Sequence, residues 1–248
     1  MDLSALIIAR NEEVKIETCL RSLKFLDNIV VILDRSTDST KQICKKFTSN
    51  IFEGSWQSES DRRNYGIGKC NTNWILEIDA DEVVTKRLAK LIKKNIKFNE
   101  FDFYYIDLIN FVGNKKILYG WMACLAPDGK FCLFKKGSKT WIKGSVHPTY
   151  KMDGIRGPKI SEPLLHFMSQ NLSELLDRFN RNTSLHAIDL RVQNKSLNNF
   201  LSLRKFFSRF LKCYLGRRGF KSGSVGFLIA VLSALYPFIS AKKSIIEK

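Results

Sequence analysis

The stretch WILEIDADEVV, residues 74–84, decides how this sequence folds, because an apolar run of strand length passes directly into three closely spaced acids. Side chains alternate in an extended chain, so Asp79 and Asp81 are predicted to project from one face and to be able to share a divalent cation. Mg²⁺ and Mn²⁺ prefer carboxylate oxygen and keep positions for water or phosphate oxygens, so this spacing is typical of a metal–diphosphate site. The alternative interpretation is an acidic turn, including Glu82, that simply closes a strand.

Two further apolar runs precede this stretch. Residues 3–9 and 29–33 are apolar segments of strand length, with Ser4 as the one polar residue, and each leads into a polar loop followed by a helical pattern. We expect Asn11 to cap the first helix, and Ser36 or Thr37 to cap the second. The resulting β-α-β-α order predicts a mainly parallel sheet with helices on both faces. Such sheets bind ligands beyond the carboxyl ends of their strands, which is where the acids described above fall.

The second half of the chain has a less regular pattern. Short alternating or apolar runs, separated by glycine and proline, predict more strands, and two longer segments have helical spacing. A final apolar run contains Pro237, which is expected to break it. The predicted strands lie within 101–119, 131–134, 141–146 and 164–167, and the predicted helices cover 172–187 and 200–215.

Three blocks, in order, carry a resemblance to a known family. SALIIARNEE (4–13), VVILDRSTDST (30–40) and RRNYGIGKCNTNWILEIDADE (62–82) resemble the nucleotide-binding opening, the acidic second loop and the metal-binding strand of family-two glycosyltransferases. The resemblance implies transfer of a sugar from a nucleotide-sugar donor. It also implies an α/β fold of the GT-A (Rossmann-like) type, with a mixed, mostly parallel sheet flanked by helices and a C-terminal helical extension. We expect the GT-A domain to cover 1–170 and a basic amphipathic extension, on the membrane and acceptor side, to cover 171–248.

Later blocks narrow this resemblance. WIKGSVHPTY (141–150), EPLLHF (162–167), LLDRFNRNTSLHA (175–187) and the helical segment 206–236 are together similar to lipopolysaccharide-core β-glucosyltransferases. The implied reaction is an inverting transfer of a hexose, glucose from UDP-glucose, to a lipopolysaccharide-core or related membrane glycolipid acceptor. Nucleotide-sugar donor and glycolipid acceptor are therefore the expected partners, and no protein partner is inferred.

The second block contains Asp34, the first residue predicted to contact the nucleotide-sugar. The residues on both sides of Asp34 depart from the family pattern. Asp34 would accept a hydrogen bond from the uracil or ribose, and its alternative role is to cap the turn with Ser36. Leu33 and Arg35 replace the acid and the glycine that commonly flank this aspartate in the family. A second departure is Lys221–Ser222, at a place where an acid is common.

The resemblance assigns the rest of the donor site to neighbouring residues. Asn11 and Glu12 contact the nucleotide or cap a helix, and the two roles are compatible. Arg63 matches the family's Arg-Asn pair and would reach the base or diphosphate, whereas Arg62 is expected to be solvated. Asp79 would bind ribose or the water shell of the metal. The predicted nucleotide-sugar set is Ala9, Asn11, Glu12, Asp34, Arg63 and Asp79.

The implied cofactor is a divalent cation, Mg²⁺ or Mn²⁺, with Asp81 and His166 as ligands. Such an ion stabilises charge on the departing nucleoside diphosphate without proton transfer. His166 follows an apolar strand and matches a late family histidine, and its alternative role is structural. Inversion also needs a base to remove the proton of the acceptor hydroxyl. His147 and Asp153 are the candidate catalytic bases, and Glu162 is the other acid nearby.

Charge concentrates in the C-terminal part of the chain. The formal net charge is +17, with a pI near 9.7, which indicates an anionic partner. Glu247 is the only acid from Arg191 onward, against twelve lysines and arginines. The apolar run 227–239 is too short for a comfortable span, so together with the basic segment 200–220 we interpret it as an interfacial anchor on an anionic membrane surface. The alternative is a helical pair that covers the catalytic domain.

The cysteines and the first residues of the chain indicate the cellular compartment. Six scattered cysteines without metal-site spacing are interpreted as reduced thiols, and no signal sequence opens the chain. Both features favour a cytoplasmic protein, peripheral on the inner face of the cell membrane.

Two other classes of protein are considered. A nucleotidyltransferase would also use an acid pair and a metal, but it would usually carry a Gly-rich loop with Arg or Lys after the first strand, and RNEE (10–13) lacks that loop. A non-enzymatic nucleic-acid-binding protein is favoured only by net charge, so we expect no nucleic-acid partner.

Overall fold

The structure is a computed structural model that describes residues 2–98, 100–142, 149–193, 197 and 200–247. It divides into two compact units, each described by itself below. The first unit contains 1–108 and 129–166, and the second contains 109–128 and 167–248. The predicted functional division at residue 170 stays a prediction.

The amino-terminal half of the first unit is a parallel sheet with helices between its strands. Strand β1 pairs in parallel with β2 and β4, and β2 pairs in parallel with β3. Every residue of β1 is buried, as expected for a strand covered on both faces. The elements are β1 (Leu3–Ala9), α1 (Ile16–Ser22), β2 (Asn28–Asp34), α2 (Thr40–Cys44), β3 (Ile51–Gly54), α3 (Glu59–Lys69), β4 (Trp74–Asp79), β5 (Glu82–Val83) and α4 (Lys86–Asn95).

Antiparallel strands complete the sheet, which is therefore mixed and mostly parallel at its amino-terminal half. The strand order is β3-β2-β1-β4-β8-β6-β11-β5, with β7 paired to the end of β6, and β9 and β10 form a separate hairpin. The strand predicted over 141–146 begins earlier, at Lys139, and residues 143–148 lie outside the described part of the chain. The remaining strands are β6 (Phe103–Val112), β7 (Lys115–Ile117), β8 (Gly129–Lys135), β9 (Lys139–Ile142), β10 (Thr149–Met152) and β11 (Ile160–Ser169).

Apolar side chains of β1 alternate between two clusters. Leu3, Ala5 and Ile7 belong to one cluster, and Leu6 and Ile8 belong to another. Because neighbouring side chains of a strand point to opposite faces, these clusters are the cores on the two sides of the sheet. The sequence expectation of helices on both faces is confirmed.

A glycine sets how closely α3 approaches the sheet. A Cβ atom on Gly66 would lie 2.8 Å from Leu6 Cδ1 and 3.0 Å from Ile32 Cγ1. Real Cβ atoms do not approach other atoms this closely, so a larger residue here would push α3 outward. The helix that carries Arg62 and Arg63 is thereby held against the strands whose ends form the site described below.

The second unit is mainly helical. Its helices are α5 (Leu172–Val192), α6 (Leu203–Leu211) and α7 (Gly223–Ile246), and a π turn at Lys212–Gly216 and a 3₁₀ turn at Gly219–Ser222 connect the last two. Helix α5 extends beyond the predicted end at 187, and α6 is shorter than the predicted helix 200–215. The core includes Trp121, Met168, Leu175, Cys213, Ile229, Ala230 and Tyr236.

Pro237 does not break the last helix, contrary to the sequence prediction. Proline has no N–H, so the carbonyl of Ser233, four residues earlier, loses its helical donor. Arg209 of α6 replaces that donor, since its Nε lies 3.1 Å from Ser233 O. The segment Gly219–Ile246 is consequently continuous over 28 residues, with a mean hydropathy of 1.9 in its most apolar window, and by length and composition it could cross a membrane. The predicted shortness of this helix was therefore wrong.

The contribution of the Arg209–Ser233 hydrogen bond to the stability of the protein can be measured. Arg209→Met should lower the free energy of unfolding by about 2 kcal/mol, because it leaves the Ser233 carbonyl without a donor in a partly buried position. In a Pro237→Ala background the residue 237 N–H restores the helical bond, so the same change should have a clearly smaller effect. Chemical denaturation of the four proteins measures the cycle, with exposed Arg204→Met as the control. Equal effects in both backgrounds would contradict this explanation.

Candidate active site

The carboxyl ends of three parallel strands lie side by side in the first unit. Ile8 of β1 is in register with Asp79 of β4, and Ala9 is in register with Leu33, which precedes the last residue of β2, Asp34. This common edge confirms the sequence expectation that Asp34 and Asp79 both lie at the carboxyl ends of parallel strands. The buried Ala9 closes β1 at the same edge.

Hydrogen bonds join the loops that follow β1 and β2. Asn11 has a positive φ of 54° and accepts a 2.8 Å bond from the Thr37 N–H through Oδ1. Its own N–H donates to Ser36 Oγ at 3.2 Å, and the Glu12 N–H donates to Thr40 Oγ1 at 2.8 Å. The two loops therefore form one rigid rim beyond the strand ends.

These bonds replace the predicted helix caps. Helix α1 begins only at Ile16, with Lys15 as its N-cap and no side-chain cap bond, so Asn11 does not cap it. Helix α2 begins at Thr40, and the side chain that receives the Thr40 N–H is Asp38, at 3.1 Å, rather than Ser36 or Thr37. The predicted caps were wrong because their polar atoms bond the neighbouring loop instead.

Asp34 is buried and bound by two arginines. Arg35 donates through Nε at 2.9 Å and Nη2 at 3.1 Å, and Arg62 donates through Nη1 at 2.8 Å. Burial alone would raise the pKa of Asp34, but hydrogen bonds from Arg35 and the Trp56 N–H, together with the charge of Arg62, hold the pKa below its usual value. Asp34 is therefore ionised, and within the described part of the chain no hydrogen bond joins it to Ser36, as the alternative turn cap would require.

The sequence expectation about one of these arginines needs correction. Arg62, predicted to be solvated, has a side chain that is only 18% exposed because it pairs with Asp34. Arg35, which stands where the family commonly has glycine, adopts the left-handed backbone that glycine favours, with φ 53°. Its guanidinium contact with Asp34 offsets part of that backbone strain.

Arg63 is held by three carboxylates. Its Nε lies 2.8 Å from Glu59 Oε1, its Nη1 lies 2.7 Å from Glu77 Oε1, and its Nη2 lies 3.2 Å from Asp79 Oδ1. The guanidinium carbon also lies 4.6 Å from the centroid of the Trp141 ring. Each guanidinium nitrogen already has a protein partner, so in this conformation Arg63 orients Asp79 rather than pointing to solvent.

Lys130 joins Asp79 to Glu82, three residues further along the chain. Its Nζ lies 2.9 Å from Asp79 Oδ2 and 2.7 Å from Glu82 Oε2. Burial would raise the pKa of Asp79, but Lys130 and Arg63 lower it far below its usual range, so this carboxylate is ionised. Burial of Glu82, with Asp79 and Asp81 nearby, raises the pKa of Glu82 to about 7 despite Lys130.

Asp81 and His166 are brought together from distant parts of the sequence. Strand β5 pairs with β11, so that His166 lies opposite Glu82, and His166 Nε2 is 3.4 Å from Asp81 Oδ2. Both side chains are buried, at 8% and 6% exposure. Strand β4 ends at Asp79, and Ala80 and Asp81 form a turn, so the predicted extended geometry, with both aspartates on one face, was wrong.

This pair fits a divalent cation in part. A carboxylate oxygen and an imidazole nitrogen are suitable ligands for Mn²⁺, and Mg²⁺ accepts one or two carboxylates together with phosphate oxygens and water. Among the described residues, no group of three or more histidines, cysteines, aspartates or glutamates is placed to hold an ion. Asp81 and His166 would therefore hold a cation only if phosphate oxygens or water supply the other ligands.

Sequence reasoning missed the buried basic partners of the site. Lys139 Nζ lies 2.7 Å from Glu77 Oε2, and both side chains are almost completely buried. Lys130, which is 17% exposed, and the buried Glu82 form a second ion pair. The sequence indicated a buried ion pair only at Glu77. An acid inside the apolar run WILEI needs a cation beside it when the strand is buried. The positions of the two lysines depend on strand pairing, which no local pattern gives.

No contact among the described residues brings either predicted catalytic base, His147 or Asp153, to this edge of the sheet. His147 lies outside the described part of the chain. Asp153 is exposed and pairs with exposed Lys151 at 2.9 Å, next to the β9–β10 hairpin. Their catalytic roles stay predictions.

Comparison with known proteins agrees with this architecture. Residues 4–131, more than half of the chain, match the family model of glycosyl transferase family 2. An uncharacterized glycosyltransferase of Rickettsia typhi is 26% identical over 97% of this chain and 86% of its own length. The lipopolysaccharide core biosynthesis glycosyltransferase LpsC of Rhizobium meliloti is 24% identical over 98% of this chain and 92% of its own length. The family match favours a glycosyltransferase over the nucleotidyltransferase and nucleic-acid-binding alternatives.

Solved structures confirm the fold. S. aureus TarS, residues 1–349, superimposes with a TM-score of 0.50 at 16% identity, over 99% of this chain and 88% of that one. The same fragment in complex with UDP-GlcNAc also has a TM-score of 0.50. The chain belongs to glycosyl transferase family 2 and is a glycosyltransferase of the GT-A fold.

Proposed function

We propose that this protein is an inverting, metal-dependent glycosyltransferase that moves a hexose, glucose from UDP-glucose, to a lipopolysaccharide-core or related membrane glycolipid. The observation that carries the proposal is the buried Asp81–His166 pair beside the ionised Asp79, at the edge where β1, β2 and β4 end. The similarity to LpsC over nearly the whole chain supports a glycolipid acceptor of this class.

The donor nucleotide is assigned to the rim formed by the first two loops. Asp34 is ionised, and its two oxygens accept four hydrogen bonds, from Arg35, Arg62 and the Trp56 N–H. A base or ribose would therefore bind Asp34 by replacing one of these donors, and the Arg35 side chain, which is 47% exposed, is the one with room to move into solvent. Asn11, Glu12 and Ala9 form the neighbouring wall. Because their backbone is fixed by bonds to the Ser36–Thr40 loop, this wall is preorganised and binding requires little further ordering.

The diphosphate and ribose are assigned to the end of β4. Asp79 keeps its charge and orientation through Arg63 and Lys130, and it presents its remaining lone pairs to ribose or to metal-bound water. Asp81 and His166 would hold the divalent cation, and that ion, when bound, neutralises charge on the leaving diphosphate as a Lewis acid. The contribution of Arg63 is to position Asp79, since its own nitrogens are occupied by carboxylates.

The acceptor hydroxyl must lose its proton as the new bond forms on the opposite side of the sugar from the leaving group. We retain His147 and Asp153 as the two candidates for this base. The Asp153 carboxylate is exposed, and its partner Lys151 is also exposed and free to move away.

We further propose that the protein works at the cytoplasmic face of the cell membrane, as a peripheral protein. The acceptor is a membrane glycolipid, so the enzyme must reach the bilayer. The concentration of basic residues beyond Arg191 supports an anionic membrane surface as a partner.

Transfer can be tested by following the acceptor. The full chain is incubated with truncated lipopolysaccharide, UDP-glucose and Mn²⁺, and the acceptor mass is measured. We expect the addition of one hexose, with UDP-galactose, UDP-GlcNAc and GDP-mannose transferred poorly or not at all. The anomeric configuration of the product, read by NMR, should be opposite to that of the donor. A retained configuration, or transfer to soluble acceptors only, would contradict the proposal.

A further inference from the structure

Helix α6 and the π turn after it present a row of exposed apolar side chains. Leu203, Phe207, Leu211 and Leu215 follow at intervals of four residues and are 69, 60, 50 and 56% exposed. This spacing places the residues of α6 on one helical face, and we call the four residues the α6 stripe. A contiguous row of four large apolar side chains is unusual on a soluble surface and marks a site of interaction.

The opposite side of α6 is packed against the rest of the second unit. Arg209 donates to Ser233 O at 3.1 Å, and the rings of Phe210 and Phe227 lie 5.7 Å apart. Cys213, in the π turn, is buried and donates through Sγ to the Gly120 carbonyl at 2.6 Å. Since these contacts set the rotation of the segment, the α6 stripe remains exposed without any need for the helix to rearrange.

The charges around the α6 stripe decide which partner fits. Residues 203–221 include six lysines and arginines besides Arg209 and contain no acid. A second copy of this chain would bring the same positive charge to the same face, which opposes self-association. An anionic surface is complementary, and an amphipathic helix with basic flanks is the usual element that lies in a lipid–water interface. The flanking basic residues, all exposed, are Arg204, Lys205, Lys212, Arg217, Arg218 and Lys221.

Helix α7 is the other candidate for membrane contact, because it is long and apolar enough to span a bilayer. However, half of its most apolar window is buried, and Ile229, Ala230 and Tyr236 are part of the core of the second unit. Extraction of α7 into lipid would break these contacts and would also remove the Ser233 carbonyl from Arg209. α7 therefore has a structural role in the fold, and α6 carries the free apolar face.

We propose that the α6 stripe inserts into an anionic bilayer at the level between headgroups and acyl chains, while α7 stays within the protein. The protein is then monotopic, with one amphipathic helix in the interface and no span. This inference rests on the proposed function, because a membrane glycolipid acceptor requires an enzyme at the bilayer. It specifies which residues hold the enzyme there.

The test is flotation of the full chain with vesicles. Wild type should float with vesicles of equimolar phosphatidylethanolamine and phosphatidylglycerol, and much less with phosphatidylcholine vesicles, since the basic flank is attracted to anionic lipid. Phe207→Asp/Leu211→Asp should lower binding to the anionic vesicles at least about tenfold. Val192→Asp is the matched control, because Val192 is 80% exposed on α5 and outside the stripe, and this variant should bind like wild type.

Three results would overturn the inference: no flotation of wild type with anionic vesicles, equal flotation of the stripe variant, or a wild-type dimer that the stripe variant separates into monomers. Thermal unfolding should be the same for the three proteins, because the changed side chains are exposed. Release of nucleoside diphosphate from UDP-glucose, with truncated lipopolysaccharide dispersed in detergent as the acceptor and no vesicles present, separates the two proposals. If wild type and the stripe variant release nucleoside diphosphate equally but differ in flotation, both proposals are supported. If wild type releases none, the proposed function alone is contradicted.

Discussion

Asp81→Asn is expected to lower the rate of sugar transfer at least about hundredfold while leaving the fold intact. Asparagine keeps the size of the buried side chain but removes the negative charge 3.4 Å from His166 Nε2. A divalent cation would then lose its only anionic protein ligand in the proposed pair. The lost stabilisation applies to charge that develops on the leaving diphosphate, so kcat should fall more than the affinity for the donor.

The measurement is initial-rate kinetics over a range of Mn²⁺ concentrations, with thermal unfolding as a check of the fold. Asp81→Asn should need more Mn²⁺ for half-maximal rate, and its unfolding temperature should stay near that of wild type. Glu17→Gln is a suitable control, because the partly exposed Glu17 side chain forms a salt bridge with its helix neighbour Arg21 on the surface of α1. A rate within about threefold of wild type would exclude Asp81 as the main metal ligand.

Glu77→Gln is expected to lower the free energy of unfolding by about 3–5 kcal/mol. Glu77 is 2% exposed and neutralises two cations, Arg63 at 2.7 Å and Lys139 at 2.7 Å. Burial alone would raise the pKa of Glu77, but Lys139 and Arg63 lower it below the usual value, so the carboxylate is charged in the folded protein. An uncharged amide leaves the Lys139 ammonium buried without its counter-charge, which is the costly event.

Two comparisons make this prediction specific. Glu59→Gln removes a partner of the same guanidinium, but Glu59 is 34% exposed, so its effect should be below about 1 kcal/mol. Adding Lys139→Met to Glu77→Gln removes the uncompensated cation and should recover a substantial part of the loss. Chemical denaturation gives all the values. A loss below about 1 kcal/mol for Glu77→Gln would show that the buried pair is not a main determinant of stability.

The same pair predicts a pH dependence. The folded pKa of Glu77 lies below its unfolded value, so its contribution to stability is complete above the unfolded pKa of about 4.3 and is lost as pH falls through the folded pKa. The difference in stability between wild type and Glu77→Gln should therefore be largest at neutral pH and should decrease below about pH 4.

Features that depend on local pattern were predictable from the sequence. The strand at Leu3–Ala9 has the predicted bounds, because an apolar run bounded by polar residues allows few other interpretations. The edge that contains Asp34 and Asp79 followed from the β-α-β order, since parallel strands end on one side. His166 was found through the family resemblance, and its position beside Asp81 depends on the β5–β11 pairing.

Features that depend on distant partners were not predictable. Asn11 looked like a helix cap, yet its side chain accepts from Thr37, 26 residues away. The sequence predicted that Pro237 breaks the last helix. The helix continues because the Arg209 side chain donates to the carbonyl that the proline leaves without a donor. Lys139 is 62 residues from Glu77. In each case a tertiary hydrogen bond competed with a local preference and was stronger.

The central claim is that the edge formed by Asp34, Asp79 and Asp81 binds a nucleotide-sugar and releases the nucleoside diphosphate with the help of a divalent cation. The most direct measurement is release of nucleoside diphosphate from a panel of UDP- and GDP-sugars, with membrane glycolipid present, in Mg²⁺, Mn²⁺ or EDTA. We predict release from one donor, UDP-glucose, that requires the metal and is abolished by EDTA. No release from any donor, together with no nucleotide binding in isothermal titration, would contradict the claim.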